Sequence, residues 1–182
     1  MRVFDVRQMR FGSFALATLT AICAVYLVLA GRAADAGILA VMVAGSLAFL
    51  LWQDRLPALF TLLFTAVAAL NGAGYAFDLW QRPVWFDEVV HVLTPFVLVS
   101  AIAWLLIQRN EAKPAMNRAT YFLKVGTLGL LIGFAWEGFE YLIGIIGSRA
   151  DTASDLVMDT IGAVGAALFC LWAARHPRSD LG

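Results

Sequence analysis

At 182 residues, 62% hydrophobic and only 14% charged, with a mean hydropathy of +0.80, the chain carries more apolar side chain than a soluble domain of its size can bury. A formal net charge of zero removes the electrostatic case for a nucleic-acid partner. Composition therefore points to an integral membrane protein.

Crossing a bilayer as a helix takes about 20 apolar residues. Six runs approach or meet that length: Phe11–Ala30, Gly37–Trp52, Ala58–Trp80, Phe86–Ile107, Tyr121–Ile146 and Asp155–Ala174. The second is the shortest. Gly31, Pro57, Pro83, Pro114, Gly147 and Pro177 break the chain in or near the connections. The expected fold is all-α: one six-helix transmembrane bundle formed by residues 1–182 as a single domain. Arg2, Arg7 and Arg10 before the first run look like a secretory signal. That run exceeds the usual apolar core of about 7–15 residues, so it reads as a retained span.

Lys and Arg set the orientation. Ten of the 13 fall at the N-terminal tail, the 2–3 and 4–5 loops and the C-terminal tail: Arg2, Arg7, Arg10, Arg55, Arg109, Lys113, Arg118, Lys124, Arg175 and Arg178. Arg32, Arg82 and Arg149 lie on the other side. The bias predicts that both termini are cytoplasmic. Cys23 and Cys170 then differ in depth by roughly 12 Å, too far for a disulfide.

With that orientation, the polar residues inside the spans gather in the extracytoplasmic half. Asn71, Tyr75 and Asp78 on span three fall about 14, 8 and 3 Å from its outer end. On span four, "WFDEVVHVLTPF" puts Asp87 and His91 roughly 5 and 10 Å down. On span five, Glu140 and Glu137 lie about 10 and 15 Å down, and on span six Asp155 and Asp159 about 3 and 9 Å down. Spacings of three and four give each helix one polar face. Lipid is no place for such faces, which are expected to meet in a shared interior pocket open to the outside.

Four local readings accompany this one. Asp87, Asp151 and Asp155 sit near helix starts, where acids also serve as caps; "TASD" before span six fits such a role. Pro95 lacks the N–H that would bond the His91 carbonyl, so span four should kink there. Gly126, Gly129 and Gly133 on span five, with Gly162, Gly165 and Ala166 on span six, allow close approach of the two helices and would set Glu140 beside Asp159. Trp80 and Trp85 read as an outer aromatic belt.

An imidazole among carboxylates is a donor set for Zn, Mn, Fe, Mg or Ca. The ligand candidates are His91, Asp87, Glu140, Asp155 and Asp159. Glu137, Glu140 and His91 are the catalytic candidates, Glu137 as general acid or base; Asn71, Tyr75 and Asp78 are supporting hydrogen-bonders. No P-loop, dinucleotide fingerprint, HExxH or Ser-His-Asp order is present.

The segments "WFDEVVHVLTPF", "GFAWEGFEYLIG" and "DTASDLVMDTIGAVGAAL" resemble the YjdF-like family of bacterial inner-membrane proteins and, more distantly, VanZ-like proteins associated with glycopeptide resistance. The resemblance falls on Asp87, His91, Glu137, Glu140, Asp155 and Asp159 and implies a six-span fold, but no reaction. Three functions follow as expectations. The first is a metal-assisted hydrolase or transferase acting on a lipid or lipid-linked envelope substrate. The second is a proton- or cation-coupled carrier, and the third a structural or regulatory membrane subunit.

Overall fold

A computed structural model describes residues 5–52, 56–81, 84–109, 117–144 and 148–173. The described residues form six long helices and no strand: α1 (Val6–Leu29), α2 (Ala33–Leu51), α3 (Ala58–Ala76), α4 (Val84–Arg109), α5 (Arg118–Ile143) and α6 (Arg149–Ala173). A short 3₁₀ turn, Leu79–Gln81, precedes α4. All six helices are long and apolar enough to span a membrane, so this is a multi-pass membrane protein.

The termini follow from local chemistry. The Asp5 carboxylate accepts a hydrogen bond from the Arg7 N–H at 2.9 Å and caps α1. Asn117 caps α5 in the same way through the Ala119 N–H, and Gly144 closes that helix with φ 74°, a left-handed conformation open to glycine. The second span starts at Ala33 rather than Gly37, because Arg32 reaches Asp35 at 2.6 Å and steadies the added turn. Its 19 residues then suffice for about 28 Å. The third helix stops at Ala76, short of the expected Trp80. Asp78 takes a positive φ of 56° there and is held by Arg32 at 2.8 Å.

The largest difference lies at α6. It begins at Arg149, six residues before the expected start, with Ser148 Oγ accepting from the Asp151 N–H at 3.2 Å. Asp155 is therefore an interior helical residue and does not cap the helix. The polar "RADTASD" stretch lowered the local hydropathy and hid more than a turn of helix. The residues Arg2, Arg55, Arg82, Lys113, Arg175 and Arg178, which carry much of the orientation argument, lie outside the described residues, as do Pro83, Pro114, Gly147 and Pro177.

The chain divides into two compact units, one running to Phe86 and the other from Asp87 through α6. In the first, α1 packs on both α2 and α3. Gly72 lies against Cys23, with the thiol 3.6 Å from where a Cβ would be. Hydroxyls inside these helices satisfy themselves locally: Ser13, Thr20, Ser46 and Thr65 each donate to the carbonyl four residues back. Asn71 does the same with its amide, to the Val67 carbonyl at 3.0 Å. Trp80 packs edge-on against Phe86 and beside Tyr75, over Gly74. It packs within the first unit. Trp85, by contrast, is 65% exposed.

In the second unit, α6 has small residues on two faces. Gly129 of α5 meets Ala163, where a side chain would collide. Gly162 and Gly165, expected to face α5, instead face α4: the first lies against the Val92 carbonyl and the Pro95 ring, the second against Phe96. Helix α4 runs unbroken through Pro95. Gly126 has open space around it and contributes no close approach. Val99, Ala103, Tyr121, Val125, Ala166, Ala167 and Cys170 form the apolar core of this unit. Both cysteines are free, as their spacing predicted. The core lies toward one end of α4–α6, and His91 with the acids Asp87, Glu137, Glu140, Asp155 and Asp159 toward the other.

A candidate metal centre

Three aspartates surround one imidazole. His91 is 7% exposed, on α4. Its Nδ1 lies 3.2 Å from Asp159 Oδ1 on α6. Its Nε2 lies 3.6 Å from Asp87 Oδ1, one turn back on α4, and 3.9 Å from Asp155 Oδ1, one turn back from Asp159. Two helices, each with its pair at i and i+4, thus supply the whole group. Asp155 and Asp159 are 5% and 4% exposed, and Asp87 is half-buried.

The two ring nitrogens have different surroundings. At Nδ1, 3.2 Å fits a hydrogen bond donated to Asp159, which leaves the Nε2 lone pair facing Asp87 and Asp155. Ligand atoms of Asp87, His91 and Asp155 all lie within 4.8 Å of one another, a group able to hold a metal ion. The separations from Nε2 exceed hydrogen-bond length. They fit oxygen and nitrogen ligands sharing a cation at about 2.0–2.5 Å from each. A carboxylate holding the far nitrogen of a ligating histidine is the usual outer-shell arrangement, since it fixes tautomer and ring orientation.

The expected ligand set is thereby divided. Asp87, His91 and Asp155 form the group; Asp159 is on the opposite ring nitrogen. Glu140 is not one of the three. It sits one turn along from Trp136 on α5. Nor is Glu140 beside Asp159. The α5 residue seated there is Gly133, whose Cβ would come 2.6 Å from Asp159 Oδ2. Glu137, one turn from Gly133 on the same face, is 6% exposed, and neither of its oxygens makes a hydrogen bond. Asp159 Oδ2 is likewise buried without a partner.

The helix ends revise the depths. Asp87 and His91 are about 4.5 and 10 Å along α4, Asp155 and Asp159 about 9 and 15 Å along α6. Glu140 and Glu137 are only about 4.5 and 9 Å from the end of α5. All six belong to the same end of the unit, and Asp159 rather than Glu137 is the deepest. Asn71, Tyr75 and Asp78 belong to the first unit, where Asn71 bonds its own helix, Tyr75 packs on Trp80 and Asp78 pairs with Arg32.

Sequence reasoning passed over Thr152 and read Gly133 only as a point of close helix approach. Thr152 faces Glu137 from α6. It shares a helical face with Asp155 and Asp159, at i, i+3 and i+7. Gly133 stands in the same relation to Glu137 and Glu140, at i, i+4 and i+7. Extending each acidic face by one turn would have found both. Among the described residues, no Lys or Arg pairs with Asp87, Glu137, Glu140, Asp155 or Asp159.

Fold and site together define a six-helix, multi-pass membrane protein with an Asp–His–Asp group suited to a metal ion. A family model described as "Predicted membrane protein (DUF2238)" matches residues 10–176. The chain belongs to that family, the one its YjdF-like segments resemble. The more distant VanZ-like resemblance gains no support. No curated protein and no solved structure matches.

Proposed function

We propose that this protein binds a divalent cation at Asp87, His91 and Asp155 and uses it in hydrolysis or group transfer on a lipid or lipid-linked substrate. One observation carries the cation: the Nε2 of a buried histidine, its other nitrogen held by Asp159, faces two carboxylates beyond hydrogen-bond reach. A proton on Nε2 is the rival occupant. A charge-assisted N–H···O bond would draw an aspartate in to about 2.7–2.9 Å, and neither is that close.

A cation there would supply Lewis acidity to a phosphoryl or acyl oxygen, or lower the pKa of a bound water. Glu137 would take and return the proton, its carboxyl being buried without a close hydrogen-bond partner and faced by Thr152 from α6. The same acid also suits a proton- or cation-coupled carrier. The experiment that separates these readings incubates purified protein with bacterial envelope lipids and a divalent cation. Cation-dependent product formation supports the enzyme. Proton or cation uptake into vesicles without product supports the carrier.

The site is proposed to open outward from a bacterial inner membrane with both termini cytoplasmic, on the strength of the Lys/Arg asymmetry. A cysteine introduced at Ser148 should react with an impermeant reagent in intact cells, and one at Ala115 only after permeabilisation. The reverse pattern would put the site on the cytoplasmic side.

A further inference from the structure

We infer that Gly133 is a positioning residue for the cation site, acting through Asp159; the inference rests on the proposed cation reading for its functional meaning, though not for its geometry. Glycines between membrane helices ordinarily serve backbone approach. Gly129, one turn earlier on α5, does so: its missing Cβ leaves room for the side chain and backbone of Ala163. Gly133 differs. What fills its space is a carboxylate: a Cβ there would come 2.6 Å from Asp159 Oδ2, 3.2 Å from its Cβ and 3.3 Å from its Cγ.

Asp159 has little freedom to yield. It is 4% exposed, and its Oδ1 is engaged with His91 Nδ1 at 3.2 Å. A methyl group at residue 133 must push the carboxylate group, and the push is transmitted to the imidazole. Once Nδ1 loses its acceptor, no other acceptor among the described residues holds the proton on that nitrogen, and the tautomer presenting the Nε2 lone pair to Asp87 and Asp155 is no longer enforced. Gly133 thus governs which nitrogen of His91 is available without touching His91 itself.

The test is a double-mutant cycle read on full-length protein by ¹⁵N shifts of the His91 imidazole and by Mn²⁺ or Zn²⁺ affinity. Gly133→Ala should move the ring nitrogens as Asp159→Ala does and weaken cation binding by about 10–100-fold, the usual cost of losing an outer-shell partner. Adding Gly133→Ala to Asp159→Ala should change neither readout further, because the group it displaces is gone. Gly129→Ala, which disturbs packing alone, should leave the imidazole shifts at their wild-type values. Should Gly133→Ala fail to fold, the double variant should fold, since the collision is with Asp159; failure of both would assign Gly133 to packing and overturn the inference. Wild-type ¹⁵N shifts in Gly133→Ala, or additive effects, would overturn it as well. If wild-type protein binds no cation, the cation reading fails, while the imidazole shifts still decide the role of Gly133.

Discussion

Replacing His91 by Ala should abolish the stabilisation that a divalent cation confers on the wild-type protein. A ligand that binds only the folded state stabilises it by about 2.7 kcal/mol at a hundredfold excess over Kd. Chelator-treated wild-type protein should therefore melt several degrees lower, and Mn²⁺ or Zn²⁺ should restore it. His91 supplies the only nitrogen of the Asp87–His91–Asp155 group. Without it, two carboxylates remain, with Asp159 beside them and no neutralising partner among the described residues. The variant should lose the cation response and have a lower melting temperature than chelated wild type. A cation response of wild-type size in His91→Ala would place the ion elsewhere.

Glu137→Gln should separate function from stability. The glutamate is 6% exposed, both its oxygens lack hydrogen bonds, and no Lys or Arg pairs with it among the described residues. A charge in that setting is costly, so nothing in the packing of α5 explains its presence. Glutamine keeps the shape and removes the ionisable group. Its melting temperature should equal or exceed that of wild type. Turnover of the lipid substrate should fall by about 10²–10⁴-fold, the usual contribution of a general acid or base. Cation affinity, proposed to rest on Asp87, His91 and Asp155, should hardly change. Full rescue of a deletion strain by the joint variant Glu137→Gln, Glu140→Gln would instead leave these acids with a structural role alone.

Much of the architecture was legible in the order of residues. Six apolar runs gave six helices, because a membrane span demands length and hydropathy and little else. The i, i+4 pairs Asp87–His91 and Asp155–Asp159 were visible as shared faces, and the structure brings all four side chains together. The start of α6 was not visible. Asp151 and Asp155 made the stretch look like a loop, whereas its helix is fixed by the Ser148 cap and by Asp155 turning inward to His91. The roles of the individual carboxylates were hidden for a related reason. Periodicity gives the face of a helix but not its rotation against its neighbour. That rotation puts Gly133, and not Glu140, against Asp159. The glycines of α6 carry the same lesson: Gly162 and Gly165 were readable as small, but which neighbour they admit depends on packing, and it is α4.

The central claim is that Nε2 of His91 and the two aspartates before it hold a metal ion. An anomalous difference map from crystals grown with Mn²⁺ or Zn²⁺ addresses it directly. A peak is expected about 2.0–2.5 Å from His91 Nε2 and from one oxygen each of Asp87 and Asp155, with Asp159 still bonded to Nδ1. A map at saturating metal with no peak there, and with a hydrogen bond from Nε2 to either aspartate, would contradict it and give the site to a proton.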